Sequence, residues 1–80
     1  MSDQRKLKSL RQEFGMAIRR RRHKLALSQE ELAFKADIHR TYISSIELGK
    51  VDVGLGVGYK ISRPLNIALN KLIKEAEDNT

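Results

Sequence analysis

The sequence predicts an all-α domain of five helices, and three observations carry that prediction: apolar residues recurring at three- and four-residue steps, a dense helix-start signal at residues 27–32, and a second start near His39. No strand pattern competes, apart from a short stretch at Val51–Val53 that can be extended. Eighty residues suffice for a single domain, 1–80, but a chain of that size buries only roughly 60% of its unfolded surface, so the core is thin.

Leu7, Leu10, Phe14, Ala17, Ile18 and Leu25 form one apolar stripe, which predicts a first helix over residues 5–25. In Leu27-Ser28-Gln29-Glu30-Glu31-Leu32, Ser28 can cap the amide of Glu31, Glu31 can return the bond, and Leu27 can staple onto Leu32. A second helix therefore spans 28–36 and stops where Asp37 offers a polar turn residue. Ile38 and Ile43 repeat the staple spacing around His39, so a third helix runs over 39–48 until Gly49 caps it. Two short helices thus flank a tight turn.

Past Gly49 the signals conflict. Gly54, Gly56 and Gly58 each cost about 1 kcal/mol against alanine inside a helix, and Pro64 follows them. A fourth helix is expected over 55–63, anchored by Leu55, Tyr59 and Ile61, with a late start, kink or frayed end. Leu65, Leu69, Leu72, Ile73 and Ala76 predict a fifth over 65–77, before a disordered polar tail at Asp78, Asn79 and Thr80.

On a 100° wheel the third helix gathers Tyr42, Ile43 and Ile46 on one side and sets Thr41, Ser44, Ser45 and Leu48 opposite, with Arg40 flanking. The outward face is polar, compact and almost free of acid. Arginine can donate two bonds to guanine, hydroxyls pair with several base edges, and small side chains let a backbone sit deep in the major groove. Taken alone the face also suits plain solvation; the short capped helix and tight turn before it favour the reading surface.

Composition points the same way. Sixteen Lys and Arg against ten Asp and Glu give a formal charge of +6, which favours a polyanionic partner. The run Arg19-Arg20-Arg21-Arg22-His23-Lys24 cannot form one patch, because consecutive helical residues point in different directions. Arg19, Arg20 and Lys24 reach the polar side, where they contact phosphate or keep the protein soluble. Arg21 and Arg22 fall on or beside the apolar stripe; Arg21 must snorkel, join an ion pair or be satisfied by the C-terminal segment.

Other chemistries lack support. His23 and His39 have no second ligand at metal spacing, and there is no cysteine, so no metal, disulfide or other cofactor is expected. The glycines at 54, 56 and 58 do not match a nucleotide-binding fingerprint, and no nucleophile–base arrangement is present, so no catalytic residues and no enzyme activity are expected. The apolar runs are far short of the roughly 20 residues that span a bilayer and no signal-peptide core opens the chain, which predicts a soluble cytoplasmic protein without a membrane partner.

The segments Leu27-Ser28-Gln29-Glu30-Glu31-Leu32-Ala33 and His39-Arg40-Thr41-Tyr42-Ile43-Ser44-Ser45-Ile46-Glu47 resemble the Cro/C1-type helix-turn-helix family, and the His-Arg-Thr-Tyr-Ile-Ser run resembles its restriction-modification controller branch. The resemblance implies a compact lambda-repressor-like domain that binds double-stranded DNA as a homodimer on a palindromic operator and regulates its own synthesis. By that resemblance the DNA-binding residues are Ser28, Gln29, Arg40, Thr41, Tyr42, Ser44, Ser45 and Lys50, with Gln29 and Tyr42 on phosphate, and Arg22 pairs with Glu47 across the first and third helices. This chain departs from the pattern at Ala26 and Asp37, where glycine is usual, which leaves the backbone angles of both turns open. Leu48 stands where a basic residue is common, so one DNA contact is expected to be missing.

A thin monomer core leaves Leu65, Ile67, Leu69, Leu72 and Ile73 as the expected dimer interface. The same apolar segment supports an alternative of another class, an antitoxin-like protein-interaction module in which DNA binding is secondary. So short a chain has no separate effector domain, so no small-molecule effector is expected.

Overall fold

A computed structural model describes residues 2–80 and shows five helices: α1 (Ser2–Lys24), α2 (Gln29–Ala36), α3 (Arg40–Glu47), α4 (Leu55–Ser62) and α5 (Leu69–Asp78). No strand occurs among the described residues, and the stretch at 51–53 is an irregular connection. Ala17 and Ile18 of α1 cluster with Leu32, Ala33 and Ala36 of α2, Ile43 and Ile46 of α3, Ile61 of α4, and Leu65 and Leu72 from the C-terminal segment, and Ala76 of α5 is buried as well. Small residues at 17, 33 and 36 let the short helices approach closely enough for so thin a core to close.

Four helix ends share one hydrogen-bonding pattern built around a left-handed residue: Ala26, Asp37, Gly49 and Asn66, with φ of 57°, 57°, 72° and 55°. At each, the next amide reaches back to a carbonyl five residues earlier, as in Leu27 N to Arg22 O at 3.0 Å and Lys50 N to Ser45 O at 3.0 Å. Ala26 and Asp37 thus adopt the conformation glycine usually supplies, so the substitutions change the cost of the turns and leave their geometry intact.

Pro64 corrects the sequence reading of the C-terminal half. α4 stops at Ser62, Pro64 lies in the turn that follows, and Asn66 closes that turn, so the fifth helix begins at Leu69 rather than at 65. Leu65 drops into the core from the turn itself. Arg21 holds the turn, donating from Nε to Leu65 O at 2.9 Å and from Nη2 to Asn66 O at 3.0 Å, which satisfies its charge from the C-terminal segment. The three glycines do not break α4. Gly54 sits before it, a Cβ on Gly56 would meet nothing within 4 Å, and a Cβ on Gly58 would stand 3.1 Å from Leu69 Cδ1, so Gly58 admits α5. Of the expected anchors only Ile61 is buried; Leu55 and Tyr59 are 76% and 55% exposed.

The C-terminal tail is also ordered. Asp78 ends α5, Asn79 caps it, and Thr80 bonds back to Glu77 O. α1 crosses the end of α3 at Gly15, where an added Cβ would fall 2.2 Å from Ile46 O, a contact only glycine permits.

Candidate nucleic-acid interface

The α2–turn–α3 unit is fixed from three sides. Ser28 caps α2, accepting from Glu31 N at 2.9 Å while its own N–H donates to Glu31 Oε1 at 2.8 Å. The bond from the Ser28 backbone N–H, followed by the nearby Ser28 hydroxyl, holds the Glu31 carboxyl below its ordinary range. Asp37 turns the chain through the left-handed region, and His39 starts α3 without a side-chain cap. Ile43 and Ile46 then anchor α3, and Tyr42 packs half-buried against the same core.

Behind the unit lies a buried polar cluster. Arg22, 7% exposed, donates from Nε to Glu47 Oε2 at 2.7 Å, from Nη2 to Glu47 Oε1 at 2.9 Å and from Nη1 to Leu27 O at 2.9 Å. The hydrogen bonds to Glu47 raise the Arg22 pKa against the opposing effect of burial, so the guanidinium stays charged. Gln29 joins from the first turn of α2, its Nε2 donating to Glu47 Oε1 at 3.0 Å. One amide hydrogen of Gln29 is thereby held inward, and the second remains free to serve a ligand.

The outward side of α3 carries Arg40 and Thr41, both exposed, with Ser44 and Ser45 half-exposed and Leu48 55% exposed at its end. No acidic residue lies in the first turn of α3, and Arg40 has no ion pair or hydrogen bond among the described residues. Ser28 and Gln29 lie at the start of α2, and Lys50, exposed, follows the left-handed Gly49. Of the basic run, Arg19 and Lys24 are exposed, whereas Arg20 binds Glu75 of α5 through Nε at 3.0 Å. Among the described residues no group of acidic or histidine side chains could hold a metal ion, and no helix is long and apolar enough to cross a membrane.

The expected dimer residues divide. Leu72, on the apolar stripe by which α5 covers α1 and α4, and Leu65, entering from the turn before α5, are fully buried in the core of their own chain. Ile67 packs against that core, and Leu69 and Ile73 line an open groove of about 330 Å³ with Leu10, Phe14, Val53 and Leu55. Sequence reasoning missed Leu55 and Tyr59 as exposed apolar surface, since their spacing is equally that of core anchors. It also missed Gly15, whose signal was a lone glycine inside a strongly periodic helix.

A short capped helix, a tight turn and a second helix with an acid-free polar face on a basic domain define a helix-turn-helix DNA-binding transcription regulator, not an enzyme. The helix-turn-helix family profile matches residues 18–72, and the chain belongs to that family, of Cro/C1 type. It is related to restriction-modification controller proteins. It is 46% identical over 61 residues to control protein C.BamHI of Bacillus amyloliquefaciens, covering 75% of each chain. It is 45% identical over 65 residues to control protein C.MunI of a Mycoplasma species, covering 80% of this chain and 88% of that one. Among solved structures it resembles the restriction-modification controller protein C.AhdI from Aeromonas hydrophila at 34% identity with a TM-score of 0.74, over 76% of this chain and 92% of that one.

Proposed function

We propose that the protein is the autoregulatory controller of a restriction-modification system, binding a palindromic operator as a homodimer in the cytoplasm. The observation that carries the reading is the outward face of α3, where Arg40 stands unpaired beside Thr41, Ser44 and Ser45 with no acid in the first turn. In this reading α3 of each subunit enters the major groove, the two grooves about one turn, roughly 34 Å, apart. Arg40 reads guanine, and the hydroxyls of Thr41, Ser44 and Ser45 meet base edges or the adjoining backbone. Ser28, Gln29, Tyr42 and Lys50 hold phosphates and set the register.

Gln29 is supported in that role by its bond to Glu47, which fixes the amide before DNA arrives. The dimer face is redrawn around Leu55 of α4 with Leu69 and Ile73 of α5, which line the open groove, and around Tyr59, exposed on α4; all four stay accessible in the single chain. A bound second copy would cover them. The test is base-resolved binding to a duplex enriched from a random library. Arg40→Ala costs about 1–3 kcal/mol and relaxes one base position per half-site, whereas Gln29→Ala weakens all sequences alike. Loss of discrimination in neither variant rejects this arrangement of contacts.

A further inference from the structure

Three contacts fix which side of α1 faces the recognition helix. Gly15 presses on Ile46 O, Gln12 lies against Gly49, and Arg22 pairs with Glu47. At 100° per residue these three positions share an arc of about 100° with Arg5, Lys8 and Arg19. Arg5 and Lys8 therefore continue the side of α1 that abuts the end of α3, about two turns and one turn beyond Gln12 respectively and towards the flank where Lys50 emerges. Both are exposed and neither has an ion pair among the described residues.

The opposite side of the same turns is differently used. Asp3, Lys6, Leu7 and Leu10 face the end of α5 at Glu77 and Thr80. The one acid of these turns is thus turned away from the Arg5–Lys8 side, and Asp52, the nearest acid of the following loop, is held by Arg11 at 3.1 Å. Arg5 and Lys8 also precede residues 18–72, the segment that carries the family match.

We infer that Arg5 and Lys8 form a second DNA contact, a basic stripe on the first turns of α1 that grips phosphates bordering the groove α3 enters. It rests on the regulator reading and extends it from the reading helix to the flanking backbone. The occupant is a nucleic-acid backbone because the stripe offers long cationic side chains at i and i+3, with no acid and no apolar residue among them. Its consequence is grip rather than discrimination, since phosphate contacts carry no sequence information directly.

The test is the salt dependence of binding to the library-selected duplex, extended by about ten base pairs on each side, a length close to one helical turn. Each phosphate contact contributes a slope of about −0.9 in log K against log [salt], so Lys8→Gln flattens the slope by about 0.9 per bound protomer and the Arg5→Gln/Lys8→Gln pair by about 1.8. At about 0.1 M salt the double variant loses on the order of ten- to a hundredfold in affinity per protomer, with its base preferences unchanged. Lys6→Gln, which removes the same charge from the opposite side, leaves the slope unchanged. A double variant with the wild-type slope, or a Lys6→Gln effect equal to that of Lys8→Gln, overturns the stripe. Indiscriminate binding by the wild type instead defeats the regulator reading, and the stripe is then decided by the same comparison on the non-specific slope.

Discussion

At the scale of single residues, the backbone angles at Ala26 and Asp37 give the most direct quantitative consequence. A non-glycine residue in the left-handed region costs about 1–2 kcal/mol, against which glycine loses part of its advantage to unfolded-chain entropy. Ala26→Gly is therefore expected to stabilise the domain by about 1 kcal/mol, raising the melting temperature by about 4–8 °C, measured by thermal denaturation. An unchanged or lower melting temperature would show that the turn is not strained. The Ser28–Glu31 box sets a second expectation. Glu31 titrates below its ordinary value when folded, so its contribution is complete above the unfolded value and is lost as pH falls through the folded one. The stability advantage of the wild type over Glu31→Gln is present at neutral pH and shrinks below about pH 4, read from urea midpoints across pH.

At the scale of elements, α2 and α3 were legible because their start and stop signals are local: Ser28 with Glu31, the Ile38–Ile43 spacing, and Gly49. α4 was legible in its bounds, Leu55–Ser62 against the expected 55–63, but not in the side it buries, and the start of α5 was not legible, because both depend on contacts between distant residues. Gly58 is explained only by Leu69, Gly56 faces open space, and the register of α5 depends on Asn66 closing a turn that Arg21 clamps from α1. The glycines should accordingly respond differently. Gly56→Ala stabilises α4 by about 1 kcal/mol through helix propensity alone. Gly15→Ala must displace backbone carbonyls of Ile46 and Glu47 and destabilises strongly, with chemical denaturation reading both. The candidate reading face followed from helical periodicity on α3, whereas the inward bond of Gln29 to Glu47 depends on packing between elements and has no sequence signature. Breaking that cluster with Glu47→Ala leaves Arg22 buried without its counter-ion, a change worth about 3–5 kcal/mol.

At the scale of the whole molecule, the same periodicity that located α5 misassigned its exposure. Leu65 and Leu72 close the monomer core, and apolar surface remains exposed on α4 at Leu55 and Tyr59 and along the groove at Leu69 and Ile73, besides the separate exposed side chains of Leu7, Met16, Phe34 and Leu48. In the dimer proposed here, Leu55→Asp combined with Tyr59→Glu yields a folded monomer by sedimentation equilibrium at tens of micromolar, with helical circular dichroism retained. A dimer that survives both substitutions places the interface elsewhere. The net charge of +6 supplies attraction to any duplex, so affinity alone cannot distinguish a regulator from a basic protein that binds without choosing. Selection from a random duplex library distinguishes them most directly: α3 as the reading surface predicts an enriched palindrome whose half-sites lie about one helical turn apart and whose preference is relaxed at one position per half-site by Arg40→Ala. Recovery of no enriched site, with only salt-sensitive binding common to all sequences, would contradict it.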